Sequence, residues 1–209
     1  MRLVLFGPPG AGKGTQAVKL SHKLGVPHVS TGDILRRNVG EATDLGKAAQ
    51  GHMDKGQLVP DELVIAMTER RLRQADAKQG FILDGFPRTV AQAEALAKLT
   101  PLDAVVNLFL EPEELIKRNT GRRVCPKCEA VYHVLMNPPR KQGHCDRCGS
   151  ALTVRPDDRG EVVRARIETH ERQTAPLIKY YRDRGLLVDV YASGLIDEIF
   201  QRILEGLRL

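Results

Sequence analysis

The chain contains no tryptophan, and aromatic residues of all kinds make up only 4% of its 209 residues. Proteins that bind single-stranded nucleic acid stack the bases on aromatic side chains, so this scarcity argues against that class of function. No apolar run approaches the length that spans a membrane. The apolar run Leu3–Phe6 is also too short for a secretory signal. We therefore expect a cytoplasmic protein that binds neither nucleic acid nor membranes.

Cysteine is also scarce, and all four cysteines fall in two Cys-x-x-Cys pairs. In an intracellular chain such pairs indicate a metal site rather than disulfides. Cys125 and Cys128 are followed, after sixteen residues, by Cys145 and Cys148, a spacing typical of a zinc site with four thiolate ligands. Four protein ligands leave no open position on the ion, so the predicted Zn²⁺ is structural. His144 is expected to be a bystander beside Cys145.

The segment between the cysteine pairs predicts a small hairpin, formed by Val131–Val134 and a turn at Pro138-Pro139. A four-cysteine module on a chain of net charge +6 also suits a zinc ribbon that binds nucleic acid, which is the rival hypothesis. The scarcity of aromatic residues opposes this rival. The excess positive charge indicates an anionic partner, and charge alone does not distinguish nucleotides from nucleic acids.

A phosphate-binding loop is predicted at residues 7–15, which read Gly-Pro-Pro-Gly-Ala-Gly-Lys-Gly-Thr directly after the apolar run Leu3–Phe6. Glycines let the backbone curl so that its N–H groups point at one polyphosphate, and Lys13 supplies a cation. The stretch Thr15–Leu24 predicts a helix whose positive end faces the same anion. Because Gly14 replaces the usual Ser or Thr, a bound Mg²⁺ is expected to depend on phosphates, water and an acid elsewhere.

Short apolar runs alternate with helical stretches, which predicts an α/β protein with a doubly wound, five-stranded parallel sheet. The predicted strands are Leu3–Phe6, His28–Ser30, Phe81–Asp84, Ala104–Leu110 and Leu186–Val190. A helix with one buried face is predicted from the spacing of Ile196, Ile199, Phe200, Ile203, Leu204 and Leu207. A further helix is expected to start at Pro112. Residues 30–59 and 121–158 interrupt the alternation and are predicted to be insertions.

Arginines at loop-like positions suit phosphoryl transfer, because a guanidinium grips phosphate oxygens with two parallel hydrogen bonds. Arg88 follows the strand Phe81–Asp84, at the edge where open α/β sheets bind ligands. Asp84 is the natural anchor for the outer shell of Mg²⁺. Asp33 is a second candidate, although Ser30–Asp33 equally suits a helix-capping box.

Together these residues resemble the adenylate kinase family over nearly the whole chain. Residues 7–15 have the form Gly-x-Pro-Gly-x-Gly-Lys-Gly-Thr of that family's phosphate loop, and Asp84–Arg88 with Gln92 looks like its signature. The four cysteines are similar to those of its zinc-bearing, long-lid bacterial members. The resemblance implies the P-loop nucleoside monophosphate kinase fold. Its implied parts are a core domain (residues 1–29, 60–120 and 159–209), a helical AMP-binding insertion (30–59) and a small zinc-bound β lid (121–158).

The resemblance implies reversible, Mg²⁺-dependent transfer of the γ-phosphoryl group of ATP to AMP, which gives two ADP, by a monomeric enzyme. The alternatives within the same class are a kinase for another nucleoside monophosphate and a kinase that takes GTP as the donor. Thr31 and Gln92 favour adenine, because pyrimidine-directed relatives carry other residues at these positions.

The same resemblance implies a role for individual residues. The implied catalytic cations are Lys13, Arg88, Arg122, Arg155 and Arg166. The implied ATP contacts are Gly10, Ala11, Gly12, Lys13, Gly14, Thr15, Arg118, Arg122, Val131, Tyr132 and Gly194. The implied AMP contacts are Thr31, Arg36, Gln57, Leu58, Val59, Gly85, Phe86, Pro87, Arg88, Gln92, Arg155 and Arg166. Gly194 stands where relatives often carry lysine or glutamine, so only its backbone is left to contact ATP.

Overall fold

The computed structural model describes residues 1–209 and contains seven strands. They are β1 (Arg2–Phe6), β2 (His28–Ser30), β3 (Phe81–Asp84), β4 (Ala104–Phe109), β5 (Arg122–Val124), β6 (Val131–His133) and β7 (Leu187–Tyr191). Five of them form one sheet in the order β2-β3-β1-β4-β7, and every pair in it is parallel. The predicted five-stranded parallel sheet is therefore confirmed, with strand ends that differ from the prediction by one residue at most.

Nine α-helices connect and cover the strands. They are α1 (Lys13–Leu24), α2 (Thr31–Gly40), α3 (Asp44–Asp54), α4 (Asp61–Leu72), α5 (Val90–Leu99), α6 (Pro112–Thr120), α7 (Gly160–Thr169), α8 (Pro176–Arg182) and α9 (Ile196–Leu207). A π-helical turn, His170–Thr174, joins α7 to α8. The helices predicted at Pro112 and around Ile199 are present, and α1 begins two residues before its predicted start. None of these helices is both long and apolar enough to cross a membrane.

The sheet is buried on both faces, as a doubly wound fold requires. On one face, helices α1, α6, α7 and α9 contribute Leu20, Leu115, Val163 and Ile203 to a cluster of 18 buried residues. On the other face, helices α2, α4, α5 and α8 contribute Leu35, Val64, Leu96 and Leu177 to a cluster of 17. Because both faces are covered, the strands read as nearly continuous apolar runs.

The segment 121–158, called the lid segment below, forms a separate two-stranded antiparallel sheet from β5 and β6. The hairpin turn was expected at Pro138-Pro139, and this prediction is wrong, because the chain turns earlier and pairs His133 with Asn137. The His133 side chain explains the difference. Its Nδ1 accepts hydrogen bonds from the backbone N–H groups of Leu135 and Met136, each at 3.1 Å, which holds the turn in place before the prolines.

Candidate functional site

The loop after β1 leaves the sheet between β3 and β4, where the strand order reverses direction. Ligands of open α/β sheets bind in the crevice at this point. The loop passes close to α6, and a Cβ atom at Gly10 would lie 2.3 Å from Asn119 Nδ2 and 2.7 Å from the carbonyl oxygen of Leu115. Gly10 also has a φ of 88°, so only glycine fits there without strain.

Lys13 begins α1 and folds back over the loop. Its Nζ donates hydrogen bonds to the carbonyl oxygens of Gly7 at 2.7 Å and Pro8 at 2.9 Å. Burial lowers the pKa of Lys13 to about 7; the negative charge of Asp84 opposes this, and the positive charges of nearby arginines add to it. A buried ammonium among arginines is stabilised by any anion that binds beside it, so the environment of Lys13 selects for an anionic ligand.

Asp84, at the carboxyl end of β3, faces the start of α1. A Cβ atom at Gly14 would lie 3.4 Å from Asp84 Oδ2, which is an ordinary van der Waals distance, so the carboxylate lies directly beside the loop. Burial raises the pKa of Asp84, but the nearby His28 side chain and the charge of Lys13 outweigh burial and lower the pKa. An ionised carboxylate beside the phosphate loop fits the oxygen-ligand preference of Mg²⁺. Sequence reasoning missed His28, whose Nε2 lies 3.4 Å from Asp84 Oδ2 and whose strand pairs with β3.

The sequence offers two roles for Asp33, a Mg²⁺ anchor and part of a helix-capping box, and its contacts bear on both. Its backbone N–H donates to Ser30 Oγ at 3.2 Å, so Ser30 caps α2. Its Oδ1 accepts hydrogen bonds from Arg36 at 2.5 Å and from Arg155 at 3.1 Å. Burial raises the pKa of Asp33, but these two guanidiniums outweigh burial and lower the pKa to about 2. Two arginines already occupy this carboxylate, which leaves it fewer free positions for a Mg²⁺ shell.

Four of the predicted catalytic cations, Arg88, Arg122, Arg155 and Arg166, line one cavity of about 390 Å³ with Lys13. Arg122 Nε donates to Asp158 at 2.7 Å, and Arg166 Nη1 lies 2.9 Å from Asp157 Oδ2.

Arg88 differs from the other three arginines because it makes no ion pair, and its Nε donates to the carbonyl oxygen of Gly85 at 2.8 Å. Burial, with the charge of Arg166, lowers the pKa of Arg88 to about 10. Arg88 is therefore the guanidinium in this cluster that lacks a carboxylate partner and favours an external anion.

The cavity of about 390 Å³, called the larger cavity below, is lined by most of the predicted ATP contacts. Those that line it are Gly10, Gly12, Lys13, Gly14, Thr15, Arg118, Arg122, Val131, Tyr132 and Gly194. Ala11 is fully buried and does not line it. At Gly194, φ is 102° and a Cβ atom would lie 2.3 Å from Glu198 Oε2, so this position presents its backbone alone.

A smaller cavity of about 60 Å³ adjoins the larger one. Predicted AMP contacts that line it are Thr31, Arg36, Gln57, Leu58, Val59, Gly85, Arg88, Gln92 and Arg166. Phe86 instead packs in the hydrophobic core, and Pro87 lines a third cavity of about 50 Å³. Arg36, Gly85, Arg88 and Arg166 line both the larger and the smaller cavity, so the two spaces meet at the arginines.

His170 is a second residue that sequence reasoning missed. It starts the π-helical turn, its ring centroid lies 5.6 Å from that of Phe6, and it lines the third cavity with Lys13 and Arg88. Burial, followed by the charges of Lys13 and Arg88, lowers the pKa of His170 to about 3, so the imidazole is neutral. No motif marks this residue, because its position depends on the irregular turn.

The four cysteines converge in the lid segment, with every pair of Sγ atoms within 4.8 Å and no disulfide. Sγ–Sγ distances are 3.4 Å for Cys125–Cys148 and for Cys128–Cys145. A tetrahedral Zn²⁺ with bonds of about 2.3 Å places its sulfur atoms about 3.8 Å apart, so the cluster fits this ion after a slight expansion.

Tyr132 supports the cysteine cluster. Its hydroxyl accepts a hydrogen bond from the backbone N–H of Asp146 at 2.8 Å and lies 3.5 Å from Cys145 Sγ. The hydrogen bond from Tyr132 lowers the pKa of Cys145, which favours the thiolate at this one position of the cluster. His144 Nδ1 lies 3.0 Å from the carbonyl oxygen of Gln142, and His144 is not among the clustered ligands.

Comparison with known proteins agrees with this geometry. The family model described as adenylate kinase matches residues 5–186. The chain is 51% identical to an adenylate kinase of Streptomyces coelicolor, over 100% of this chain and 99% of that protein. It is 50% identical to adenylate kinases of Caldicellulosiruptor saccharolyticus and Archaeoglobus fulgidus, over 99% and 97% of this chain and 99% and 96% of those proteins. With a matching family model, full-length relatives and the expected parallel sheet, the chain belongs to the adenylate kinase family.

Proposed function

We propose that this protein catalyses the reversible, Mg²⁺-dependent transfer of the γ-phosphoryl group of ATP to AMP, giving two ADP. The observation that carries the proposal is the meeting of two cavities at Arg88 and Arg166, next to Lys13. Two polyanions repel each other, and the reaction needs them end to end. A cluster of cations at the junction of the two cavities supplies the required neutralisation.

ATP takes the larger cavity in this proposal, with its phosphates on the loop of residues 7–15 and beside Lys13. The N-terminus of α1 points its unpaired N–H groups at the same phosphates. Arg118, Val131, Tyr132 and Gly194 line the part of the cavity that would hold the rest of the nucleotide. Arg118 is held by Glu114, whose Oε1 lies 3.3 Å from Arg118 Nε.

AMP takes the smaller cavity, with its phosphate on Arg88 and Arg36 and its base near Gln57–Val59 and Gln92. Arg88 suits this role because it is buried without a carboxylate partner. Thr31 Oγ1 donates to the carbonyl oxygen of Asp84 at 3.2 Å, which ties the floor of this cavity to the end of β3. No general base is needed, because the AMP phosphate is already an anionic nucleophile.

Mg²⁺ would be held near Asp84, through water, beside Gly14 and Thr15. When bound, the ion neutralises charge on the phosphate oxygens of ATP. The residues of the chain contribute the positioning: Arg122 is fixed by Asp158 and Asn119, and Arg155 by Asp33. We propose that Zn²⁺ on Cys125, Cys128, Cys145 and Cys148 holds the shape of the lid segment and takes no part in the transfer.

We propose the domain division implied by the resemblance: a core of residues 1–29, 60–120 and 159–209, the insertion 30–59 and the lid segment 121–158. Ion pairs connect the last two, since Arg37 Nη2 lies 2.9 Å from Glu129 Oε1 and Arg36 Nη1 lies 3.5 Å from Asp157 Oδ2. Such contacts across a cleft suit parts that close over bound nucleotides. We also propose a monomer in the cytoplasm.

The test measures ADP formation with AMP, CMP, UMP and GMP as acceptors and with ATP and GTP as donors. Turnover that is highest with the ATP–AMP pair supports the proposal, and a preference for another acceptor or donor contradicts it. Lys13→Ala should lower kcat by ~10²–10³-fold, because a fixed charge at the transferred group is lost. Lys23→Ala removes an exposed lysine of the same helix and should leave kcat unchanged. Near wild-type turnover in Lys13→Ala would contradict the assignment of the loop.

A further inference from the structure

Asp61, the first residue of α4, has no part in the chemistry above, yet its carboxylate contacts Gln92, which lines the smaller cavity. Its Oδ1 accepts a hydrogen bond from Gln92 Nε2 at 2.7 Å. Its Oδ2 accepts one from Thr89 Oγ1 at 2.8 Å. Thr89 in turn caps α5 by accepting a hydrogen bond from the backbone N–H of Gln92 at 3.2 Å. The Asp61 carboxylate therefore binds the side chain of Gln92 itself and also Thr89, the residue that caps the helix on which Gln92 lies.

The Gln92 amide is buried, with 1% of the residue exposed, and lines the smaller cavity. A primary amide offers two N–H donors and an oxygen that accepts two hydrogen bonds. One donor is bound by Asp61, and the oxygen accepts one hydrogen bond from the backbone N–H of Arg88 at 2.7 Å. One N–H and one acceptor position therefore remain for a ligand.

The two internal partners decide which way the amide points. A glutamine amide can turn by 180° and exchange its oxygen and nitrogen with almost no change of shape. A carboxylate accepts hydrogen bonds and a backbone N–H donates them. Turning the amide would therefore place oxygen against the Asp61 carboxylate and NH₂ against the Arg88 N–H, which breaks both contacts. Asp61 and the Arg88 backbone together hold a single orientation.

We propose that Asp61 is a positioning residue that determines which purine the smaller cavity accepts. Adenine presents an acceptor at N1 and a donor at its 6-amino group, which match the remaining N–H and acceptor position of Gln92. A 6-oxopurine presents a donor at N1 and an acceptor at O6, the reverse pattern, and would need the turned amide. This inference rests on the proposed function, because it takes AMP as the nucleotide of the smaller cavity.

A purely structural role for Asp61 predicts something different. Asp61 lies in the first turn of α4, where a negative charge stabilises the helix. Loss of that stabilisation would weaken the binding of every nucleoside monophosphate in the smaller cavity by the same factor. Loss of the fixed amide would instead change the preference between AMP and its 6-oxo analogue inosine monophosphate, which differs from AMP only at N1 and C6.

The test measures the dissociation constants of AMP and inosine monophosphate by calorimetry, together with the rate of ADP formation from AMP. Asp61→Ala should reduce the preference for AMP by about tenfold or more, the size of one lost hydrogen bond to a charged group. Asp61→Asn keeps a carbonyl oxygen that Gln92 Nε2 can reach and should retain most of the preference. Glu62→Ala removes the neighbouring exposed acid of the same helix turn and should leave the preference unchanged.

An unchanged preference in folded Asp61→Ala, or an equal loss of affinity for both nucleotides, would overturn the inference. If the alanine variant does not fold, Asp61→Ser keeps a polar residue at the helix start but is too short to reach Gln92, and the same outcomes apply to it. The two proposals fail separately. A wild-type protein that makes no ADP from AMP and ATP contradicts the proposed function, whereas normal turnover with an unchanged preference in the variant contradicts only the role of Asp61.

Discussion

The central sheet is covered by hydrophobic clusters of 18 buried residues on one face and 17 on the other, whereas the lid segment has a buried cluster of only four. Two of those four are the cysteines Cys125 and Cys145. The lid segment also exposes apolar side chains, including Leu135, which is 83% exposed. Segments below about 40 residues rarely bury enough apolar surface to fold by themselves. The core is thus held by hydrophobic packing, and we propose that the lid segment depends instead on a metal ion bound by its four cysteines.

Removal of zinc, or replacement of Cys125 and Cys128 by serine, should have the largest effect on stability. It should destabilise the lid segment and leave the core folded. Metal binding contributes ~10–16 kcal/mol in small zinc-folded peptides, and a tethered segment should gain less. Hydrogen exchange should show that protection is lost throughout residues 121–158 and retained in β1, β3 and β4. Loss of protection in the sheet at the same zinc concentration would show that the regions fold as one unit. An absence of bound zinc in freshly prepared protein would also contradict the proposal that zinc stabilises the lid segment.

Leu83→Ala should have the next largest effect, this time on the core. Leu83 is fully buried in β3, and truncation of such a leucine costs about 2–5 kcal/mol of the free energy of unfolding. Denaturant unfolding measures this loss, and zinc affinity should be unchanged. Leu135→Ala is the matched control in the lid segment, because truncation of an exposed leucine should change stability by less than about 0.5 kcal/mol. Weaker zinc binding in Leu83→Ala would contradict independent stabilisation.

Lowering the pH should destabilise both regions. In the core, the buried His170 has to take up a proton, and in the lid segment the metal-binding thiolates become protonated. The pKa of His170 is about 3 in the folded state and ~6.5 in an unfolded chain. Its contribution to stability is therefore complete above pH 6.5 and is lost as the pH falls from 6.5 towards 3, by at most ~1.4 kcal/mol per pH unit. His170→Phe keeps an aromatic ring against Phe6 and should flatten this pH dependence in urea unfolding. If the free energy of unfolding fell equally steeply with pH in the variant, a group other than His170 would be the cause of the acid sensitivity.

The contact between the lid segment and the insertion should give the smallest effect. Glu129 has a φ of 59°, a left-handed conformation that favours glycine, and its exposed carboxylate pairs with Arg37. Glu129→Gly should stabilise zinc binding slightly, by about 1 kcal/mol, because backbone strain is removed. Arg37→Ala breaks the same pair without that gain. Fluorescence transfer between residues 30–59 and the lid segment should show a wider separation in both variants. Unchanged separation would mean that this ion pair does not hold the two parts together.

The fold and the types of residue at the site follow from local sequence patterns. The phosphate loop, the five strands, the buried face of α9 and each Cys-x-x-Cys pair all depend on residues within a few positions of one another. Each such pattern has a short-range physical cause: glycine freedom, alternating apolar runs, helical periodicity or the reach of two thiolates in one turn. These features were therefore predictable, to within one or two residues at the element ends.

Tertiary structure alone decided how the site residues are charged and oriented. His28 acts on Asp84 because β2 lies beside β3, and Asp61 orients Gln92 because α4 packs near the start of α5. The pKa of Lys13 depends on burial and on arginines from distant parts of the chain. Electrostatic and hydrogen-bond energies depend on distances and burial, and these are fixed only when the sheet order brings residues far apart in the sequence into contact. The sequence by itself determined which groups are present, and packing determined what each of them does.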